Sequence, residues 1–377
     1  MRLAAFNVEN LFSRAKALNE EDWATNRPVL EAFARFIGLI NQPDYTAADK
    51  TRMVALLETL GLIKSDQGSL VRLMQNRGEF LVRRRGGVLD IVAEGRGEWT
   101  GGLELVREPV DNTAMRMTAQ VIRDVGADVL GVVEAENRPA LKVFSETILP
   151  LVASAPYRHV MLIDGNDPRG IDCAVMARDG FKIATMRSHV DDEDAIGLVF
   201  SRDCPEFHIT TPGGSRLVVL VNHFKSKGFG VKAESDRRRR RQAEAVAGLY
   251  RGLRDSGVEN VAVVGDLNDT PPKLPSDPLE PLLRGTDLQD VGQLPGHDDG
   301  GFPGTFGGAT ASNKIDYILL SPALVGVARA SGIFRRGMWP GVRPRKWESY
   351  PEIDPAQGGA KAHAASDHGA IWVDLDL

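Results

Sequence analysis

The chain has 377 residues, of which 42% are hydrophobic and 26% charged, and its formal net charge is -5. This is ordinary globular composition, which argues against a fibrous or disordered protein. No apolar run approaches the roughly 20 residues of a spanning helix, and the opening MRLAAFNVENLF lacks the apolar stretch of a signal peptide. Two cysteines, Cys173 and Cys204, exclude a disulfide scaffold and a zinc site of four cysteines. We therefore expect a cytoplasmic protein that does not cross a membrane.

Short apolar runs bounded mostly by Gly, Pro or Asp predict buried strands along most of the chain. In chain order they are Leu3–Val8, Val129–Val133, Ala174–Met176, Leu217–Val221, Val261–Val264, Ile315–Leu320 and Ala370–Leu375. Two amphipathic patterns between them predict helices over Thr113–Val125 and Ser235–Leu253. Strands interleaved with helices predict an α/β layered fold whose sheets are covered by helices.

Residues 14–109, directly after the first strand, depart from this alternation. Their patterns predict helical segments over Val29–Ile40, Ala47–Leu62 and Gly68–Asn76. A hairpin is predicted over Phe80–Val92, turning at Gly86–Gly87. We expect an insertion within a single domain of residues 1–377, and this insertion carries no motif that indicates chemistry.

Polar residues stand at the ends of the predicted strands, where α/β folds commonly place reactive groups. They are Asn7, Glu134, Asp172, Asn222, His223, Asp266, Asn268, Asp316, Asp367 and His368. Each has an ordinary structural explanation when taken singly, since an Asn can cap a turn and a lone His is more often a hydrogen-bonded structural residue than a catalyst. The combination is more informative than any single residue.

The combined pattern resembles the endonuclease/exonuclease/phosphatase superfamily, the DNase I-like metal-dependent phosphoesterases. The matching blocks, in the family's order, are N-x-E-N-L-F, N-H-F-K-S-K, G-D-L-N-D, I-D-Y-I-L-L-S and S-D-H. They cover the chain from first to last strand, except the insertion. The resemblance implies a four-layered α/β sandwich, with two central sheets face to face, helices outside and the active cleft at one rim.

Hydrolysis of a phosphate ester requires groups that offset charge on the non-bridging oxygens, direct a water and stabilise the leaving oxygen. Asn7 and Glu134 offer the hard oxygen ligands that suit Mg²⁺ or Mn²⁺. By resemblance Glu134 is the principal metal ligand and Asn7 assists it. Asp266, Asn268 and Asp367 would line the same cleft, where a second ion could bind.

The resemblance also assigns the remaining polar residues. His368 matches the histidine that pairs with an acid, here Asp316, and contacts the scissile phosphate or activates water. His223, preceded by Asn222 in the same motif, matches the second histidine, and Asp172 lies near the position of the acid that orients it. The group implied to position the attacking water is Asp266 with Asn268. Basic residues that could meet substrate phosphates are Lys225, Lys227 and Arg169.

The opening motif and N-H-F-K-S-K are most similar to bacterial nuclease-type members, which favours DNA as the partner, with no membrane and no obligate protein partner. Basic clusters at Arg83–Arg85, Arg237–Arg241 and 335–346 could contact a phosphate backbone. Candidates for base stacking are Trp99, Trp339 and Trp347. A phosphatase or phosphodiesterase of small or lipid phosphoesters is the alternative enzyme, and an inactive binding module is the alternative of another class.

The insertion follows the Asn7 strand immediately, on the side of the expected metal. We therefore expect it to act as a lid that overhangs the cleft and restricts the substrate. Dimerisation through the insertion is the alternative interpretation.

Overall fold

The computed structural model describes residues 1–9, 14–15, 23–84, 88–108, 112–228, 231–342 and 344–377. The chain divides into two compact units. The first unit is Met1–Phe12, Val110–Lys227 and Val231–Leu377, and the second consists mainly of Ser13–Pro109. Within the described ranges, no helix has the length and apolar character needed to span a membrane.

The elements begin and end close to the positions predicted from the sequence. The helices of the described residues are α1 Trp23–Ile40, α2 Ala47–Thr59, α3 Asn112–Val125, α4 Arg138–Val143, α5 Lys232–Asp255, α6 Glu280–Leu283 and α7 Pro322–Val327. The strands are β1 Arg2–Asn7, β2 Arg14–Ala15, β3 Val71–Arg77, β4 Leu81–Arg83, β5 Leu89–Ile91, β6 Thr100–Leu105, β7 Arg107–Glu108, β8 Val129–Ala135, β9 His159–Leu162, β10 Asp172–Ala177, β11 Lys182–Arg187, β12 Glu193–Asp194, β13 Gly197–Leu198, β14 Glu206–Thr210, β15 Arg216–His223, β16 Val261–Asp266, β17 Gln289–Asp290, β18 His297–Asp298, β19 Asp316–Leu320, β20 Ala328–Phe334 and β21 Ala370–Leu375. Every predicted strand and both helices predicted outside the insertion are confirmed.

Two large sheets form the centre of the first unit. One sheet has the order β18-β20-β21-β1-β8-β10-β9, and the other has the order β11-β14-β15-β16-β19-β17. The first sheet contains the parallel pairs β1 with β8 and β18 with β20, and the second contains the parallel pair β15 with β16. Helix α3 lies in the chain between β1 and β8, and α5 lies between β15 and β16, as a parallel pair requires a crossover connection. The parallel strands bring the carboxyl ends of each pair to one edge of their sheet.

Successive side chains of a strand point to opposite faces of its sheet, and this alternation separates three layers of packing. On β15, Val219 and Val221 belong to the core between the sheets, while Val218 and Leu220 pack with α5. The first sheet in turn packs its other face against α3, through residues such as Phe6. The first unit is therefore the expected four-layered α/β sandwich, and the prediction of the fold class is confirmed.

The second unit has a hydrophobic core of its own, which includes Phe36, Phe80 and Trp99. Helices α1 and α2 confirm two of the predicted helical segments, and antiparallel β4 and β5 confirm the hairpin. Its predicted turn at Gly86–Gly87 lies outside the described residues, which omit 85–87.

The predicted helix over Gly68–Asn76 is wrong. Residues Val71–Arg77 form β3, which pairs antiparallel with β6. Val71 and Leu73 are buried, two residues apart, and this period of two is the pattern of a strand with one covered face. The partner strand is distant in sequence, so the short segment offered little local signal to separate helix from strand.

Candidate active site

The polar side chains at the strand ends meet at one rim of the sandwich. His223 Nε2 lies 3.7 Å from Glu134 Oε1 and 3.8 Å from Asp266 Oδ2. Asn7 Nδ2 lies 3.4 Å from the same Asp266 Oδ2 and 3.5 Å from His368 Nε2. Residues from both sheets thus surround a single cleft, because Asn7 and Glu134 end neighbouring strands of one sheet while His223 and Asp266 end neighbouring strands of the other.

Glu134 reaches the cleft through a β-bulge. Val133 pairs with Cys173 and Ala135 pairs with Asp172, so Glu134 is the extra residue between two consecutive pairs. Its φ of 67° is in the left-handed region, which is unfavourable for a residue with a side chain. A bulge of this kind interrupts the strand's alternation and redirects a side chain, and it is common beside active sites.

His368 is held by hydrogen bonds through both its ring and its backbone. Its Nδ1 lies 2.9 Å from Asp316 Oδ2, and its backbone N–H donates to Ser366 Oγ at 3.0 Å. Ser366 Oγ in turn donates to the backbone carbonyl of Asn7 at 2.8 Å, which joins the loop to the end of β1. Burial alone would lower the pKa of His368, but Asp316 outweighs it and raises that pKa well above its usual value. The imidazole is therefore a fixed cation at neutral pH.

Asp266 is buried at the centre of the group. Its Oδ1 accepts the backbone N–H of Asn268 at 2.8 Å, and Asn268 has a φ of 53°, in the left-handed region. The Asn268 amide donates from Nδ2 to the carbonyl of Phe224 at 3.1 Å. Burial first, and then the charge of Asp316, raises the pKa of Asp266 to about 7.

His223 differs from His368 in its protonation. Burial first, followed by the charges of Arg202 and Arg169, lowers the pKa of His223 well below its usual value. Its Nδ1 has no hydrogen-bond partner among the residues that the structure describes. Asp172, expected to orient it, instead accepts the backbone N–H of Gly165 at 2.9 Å. The expected pairing of Asp172 with His223 is therefore not formed.

Asn222 also lies apart from the cleft. Alternation places it on the face of β15 that carries Val218 and Leu220, opposite to that of His223. Its Nδ2 donates to the carbonyl of Leu220 at 3.1 Å. Adjacent residues of a strand point to opposite faces, so the sequence motif that contains both residues does not bring both into one site.

Asp367 is tied to the first strand through its backbone. Its N–H donates to Glu9 Oε2 at 2.8 Å, and its Oδ1 lies 3.6 Å from His368 Nε2. Glu9, within the N-x-E-N-L-F motif, was not among the predicted site residues, although its position in that motif was a usable signal. Phe306, also unpredicted, packs its ring against His368 with centroids 4.8 Å apart.

The predicted phosphate-binding residues have protein partners. Lys227 Nζ lies 2.5 Å from Asp269 Oδ1, and the Lys225 backbone N–H donates to Gln242 Oε1 at 2.8 Å. Arg169 donates to both carboxylate oxygens of Asp167, at 2.9 and 2.7 Å. Lys225 and Arg169 lie near His223, whereas Lys227 is partly exposed.

A divalent cation fits this set of donors. Asp266, Asp316 and His368 each place one potential ligand atom within 4.8 Å of the others. His368 Nδ1 is engaged by Asp316, however, and the raised pKa of His368 favours a protonated ring, which is a poor metal ligand. Glu134 and Asp266, which flank the same imidazole, and the amide oxygen of Asn7 are the hard oxygen donors that Mg²⁺ prefers.

The sandwich and this cleft define a class of metal-assisted phosphoesterases. The sequence profile described as the Endonuclease/Exonuclease/phosphatase family matches residues 109–368, more than half of the chain. The chain therefore belongs to this family, and its chemistry is metal-dependent hydrolysis of phosphoesters. The profile match leaves out the first strand with Asn7 and nearly all of the second unit.

Among the similar solved structures, one has a TM-score that supports a shared fold. The mannosyl-6-phosphatase of Bacteroides thetaiotaomicron VPI-5482 is 17% identical, with a TM-score of 0.50, over 70% of this chain and 91% of that chain. An endonuclease/exonuclease/phosphatase family protein of the same species is 18% identical, with a TM-score of 0.49, over 70% and 89%. The human Nocturnin catalytic domain is 14% identical, with a TM-score of 0.46, over 71% and 88%. No curated protein matches the sequence significantly.

Proposed function

We propose that this chain is a nuclease that hydrolyses phosphodiester bonds of DNA with Mg²⁺ or Mn²⁺. The observation that carries the proposal is the contact of Glu134, His223 and Asp266, which are distant in sequence, at one rim of the sandwich. The preference for DNA rests on the likeness of the opening motif and of N-H-F-K-S-K to bacterial nuclease-type members. Because the expected donors and histidines are all present, the set also argues against an inactive binding module.

The side chains can be given distinct roles. Asp266, with its pKa near neutrality and its Oδ1 held by Asn268, would orient the attacking water and accept its proton. His368, kept cationic by Asp316, would donate a hydrogen bond to a phosphate oxygen. His223 remains neutral and would contact the substrate from the opposite sheet.

Glu134, Asn7 and Asp266 would hold the metal, with Asn268 and Asp367 near the same cleft. When bound, the metal would supply Lewis-acid stabilisation of charge on the non-bridging oxygens. The strained backbone of Glu134 would fix its carboxylate before substrate binds, so that no reorganisation is needed during reaction. The cytoplasmic location stays a prediction, supported by the two buried free cysteines.

A small phosphoester is the second candidate substrate. It is favoured by the ion pairs and hydrogen bonds that the arginines of the basic clusters make within the protein. Arg240 is ion-paired with Glu244, and Arg241 donates to the carbonyl of Gly197 at 2.8 Å. Arg335 is buried and donates to the backbone carbonyls of Asp299 and Gly304. Many of these arginines stabilise the fold, which leaves fewer cations for a long phosphate backbone.

The predicted stacking residues give the same indication. Trp99 is 3% exposed in the core of the second unit, so it is not available to stack on a base. Trp339 packs against the outer core of the first sheet. Trp347 packs edge-on against Phe302 with ring centroids 5.5 Å apart. The surface offers less for a single strand than the sequence predicted.

An activity panel tests the proposal. The purified chain would be incubated with plasmid, linear and single-stranded DNA, RNA, and a chromogenic phosphomonoester and phosphodiester, each with Mg²⁺, Mn²⁺ or a chelator. We expect DNA cleavage that the chelator abolishes. Asp266→Asn and His368→Gln should each lower kcat at least about 100-fold, because each removes a proton donor or acceptor.

His363→Gln is the matched control, since His363 precedes the S-D-H motif in the same loop and contacts the carbonyl of Glu352. It should retain activity. Equal DNA cleavage by wild type and Asp266→Asn would assign the activity to a contaminant. Hydrolysis confined to the phosphomonoester would instead establish the second candidate.

A further inference from the structure

A group of basic side chains lies beside the active site, and two of its members share one carboxylate. Arg169 Nη2 and Arg202 Nε approach the same oxygen, Asp167 Oδ2, at 2.7 and 2.8 Å. The side chains of Arg169 and Arg202 are only 17% and 3% exposed. Asp167, and after it Glu134 of the metal site, are the carboxylates that act on these two cations. We call Arg169, Arg202, Lys225 and Arg238 the cation cluster.

Backbone contacts join the cation cluster to the catalytic residues. Arg202 Nη1 donates to the carbonyl of Phe224 at 3.2 Å, and Asn268 Nδ2 donates to the same carbonyl at 3.1 Å. Phe224 stands between His223 and Lys225 in the chain. The guanidinium of Arg202 is therefore next to the residues that would face the scissile phosphate.

Helix α5 supplies the remaining cation. Gln242 accepts the backbone N–H of Lys225 at 2.8 Å, and its own Nε2 lies 3.4 Å from Ser201 Oγ, beside Arg202. Arg238 precedes Gln242 by four residues, so both lie on the same face of the helix. Arg238 Nε is buried and has no hydrogen-bond partner within the described part of the chain.

The electrostatics indicate that the cluster is short of negative charge. Burial first, and then Arg202, Arg169 and Arg238, lowers the pKa of Lys225 to about 8. Burial and the charges of Arg241 and Arg202 lower the pKa of Arg238 as well. Cations that depress one another in a partly buried place are stabilised when an anion binds between them.

We propose that the cation cluster binds a second phosphate of the substrate, a phosphomonoester dianion next to the scissile phosphate. This inference rests on the proposed phosphoesterase function and adds a determinant of specificity to it. The dianion matches the excess of cations over carboxylates better than a bridging phosphodiester, which carries a single charge. The same chemistry would serve a terminal phosphate of a nucleic acid strand or the second phosphate of a small bisphosphate.

The test compares matched substrates with and without the second phosphate. Thymidine dinucleotides would carry a 5′ phosphate, a 3′ phosphate or neither, and a hexose bisphosphate would be paired with its monophosphate. Arg238→Gln is the informative variant, because the buried Arg238 Nε has no hydrogen-bond partner among the described residues that its removal would leave unpaired. Arg237→Gln is the matched control, since Arg237 is the exposed neighbour on the same helix.

For wild type we expect kcat/KM to be at least about 10-fold higher with the second phosphate in one pair of substrates. Arg238→Gln should bring this ratio close to one, and Arg237→Gln should leave it unchanged. The pair that shows the effect identifies the source of the phosphate. A wild-type ratio of one in every pair, with the plain substrates hydrolysed, would overturn the inference while leaving the proposed function intact.

Binding measured without hydrolysis separates the two proposals. Titration calorimetry with inorganic phosphate in the presence of a chelator should show binding that Arg238→Gln weakens about 10-fold and Arg237→Gln does not. Equal binding by wild type and Arg238→Gln would contradict the cation cluster. Absence of hydrolysis on every substrate would contradict the proposed function, whatever the calorimetry shows.

Discussion

The pKa values of two histidines of the same cleft are shifted in opposite directions, and the surroundings of each histidine explain why. His368 contacts the carboxylate of Asp316, which raises its pKa well above the usual value against the effect of burial. Burial first, and then the charges of Arg202 and Arg169, lower the pKa of His223 well below the usual value, although two carboxylates lie within 4 Å of its Nε2. Asp266 lies between them with a pKa raised to about 7. Environments that separate the pKa values of titratable groups in this way are typical of acid–base sites.

Replacing Asp316 by Asn should shift the pH dependence of the reaction. Activity that needs the His368 cation is lost as pH rises through the pKa of His368. Without Asp316 that pKa falls, so the alkaline limb of kcat/KM should move to lower pH. The pKa of Asp266 should fall as well, because Asp316 raises it, and the acid limb should move in the same direction. Profiles of kcat/KM from pH 5 to 10 for wild type and variant would measure both shifts.

An alkaline limb that stays in place in Asp316→Asn would contradict this assignment of His368. Circular dichroism of the variant at each pH would separate loss of catalysis from loss of structure.

Among the elements, the close approach of β15 and β16 determines the positions of His223 and Asp266. These residues are opposite partners in the parallel pair, and Asn222 and Gly265 form the pair before them. Gly265 has a φ of 123°, and a Cβ placed on it would lie 2.1 Å from the backbone oxygen of Asn222. Only glycine allows both this conformation and this separation. The geometry of the two catalytic residues therefore depends on a residue that carries no chemistry.

Gly265→Ala should lower the free energy of unfolding by about 3 kcal/mol, from backbone strain and from the clash with β15. Activity should fall further than stability alone explains, because His223 and Asp266 would move apart. Gly248→Ala in α5 is the control, since nothing lies within 4 Å of its added Cβ. That change should raise the unfolding free energy by about 1 kcal/mol. Urea unfolding and kcat would be measured on both variants. Equal unfolding free energies for Gly265→Ala and Gly248→Ala would contradict the prediction.

On the scale of the whole molecule, the second unit can be removed without cutting the core of the first. It has its own core, and its first and last strands, β2 and β7, pair antiparallel. The two ends of the insertion are therefore adjacent, and a short linker can replace the residues between them.

Replacing residues 20–105 by a Gly-Ser linker should leave the metal site intact and change which substrates are hydrolysed. The reason is chain order, because the insertion follows directly after the strand that carries Asn7. Rates on the panel of nucleic acids and small phosphoesters would be compared with those of wild type. Unchanged kinetics in a stably folded variant would contradict a role in specificity, and a loss of dimer on a sizing column would support the alternative of dimerisation.

The sequence by itself determined the fold class, seven strands of the two central sheets and most residues of the cleft. Apolar runs that end in a polar residue predict a buried strand and a side chain at its end, and parallel pairing then brings such ends together. Only the tertiary structure decided the bulge at Glu134, the unmet pairing of Asp172 with His223 and the cation cluster. These depend on contacts between residues far apart in the chain, such as Arg202 with Asp167 and Arg202 with the carbonyl of Phe224. Local patterns encode burial and secondary structure, whereas the partner of a charged side chain is set by packing between layers.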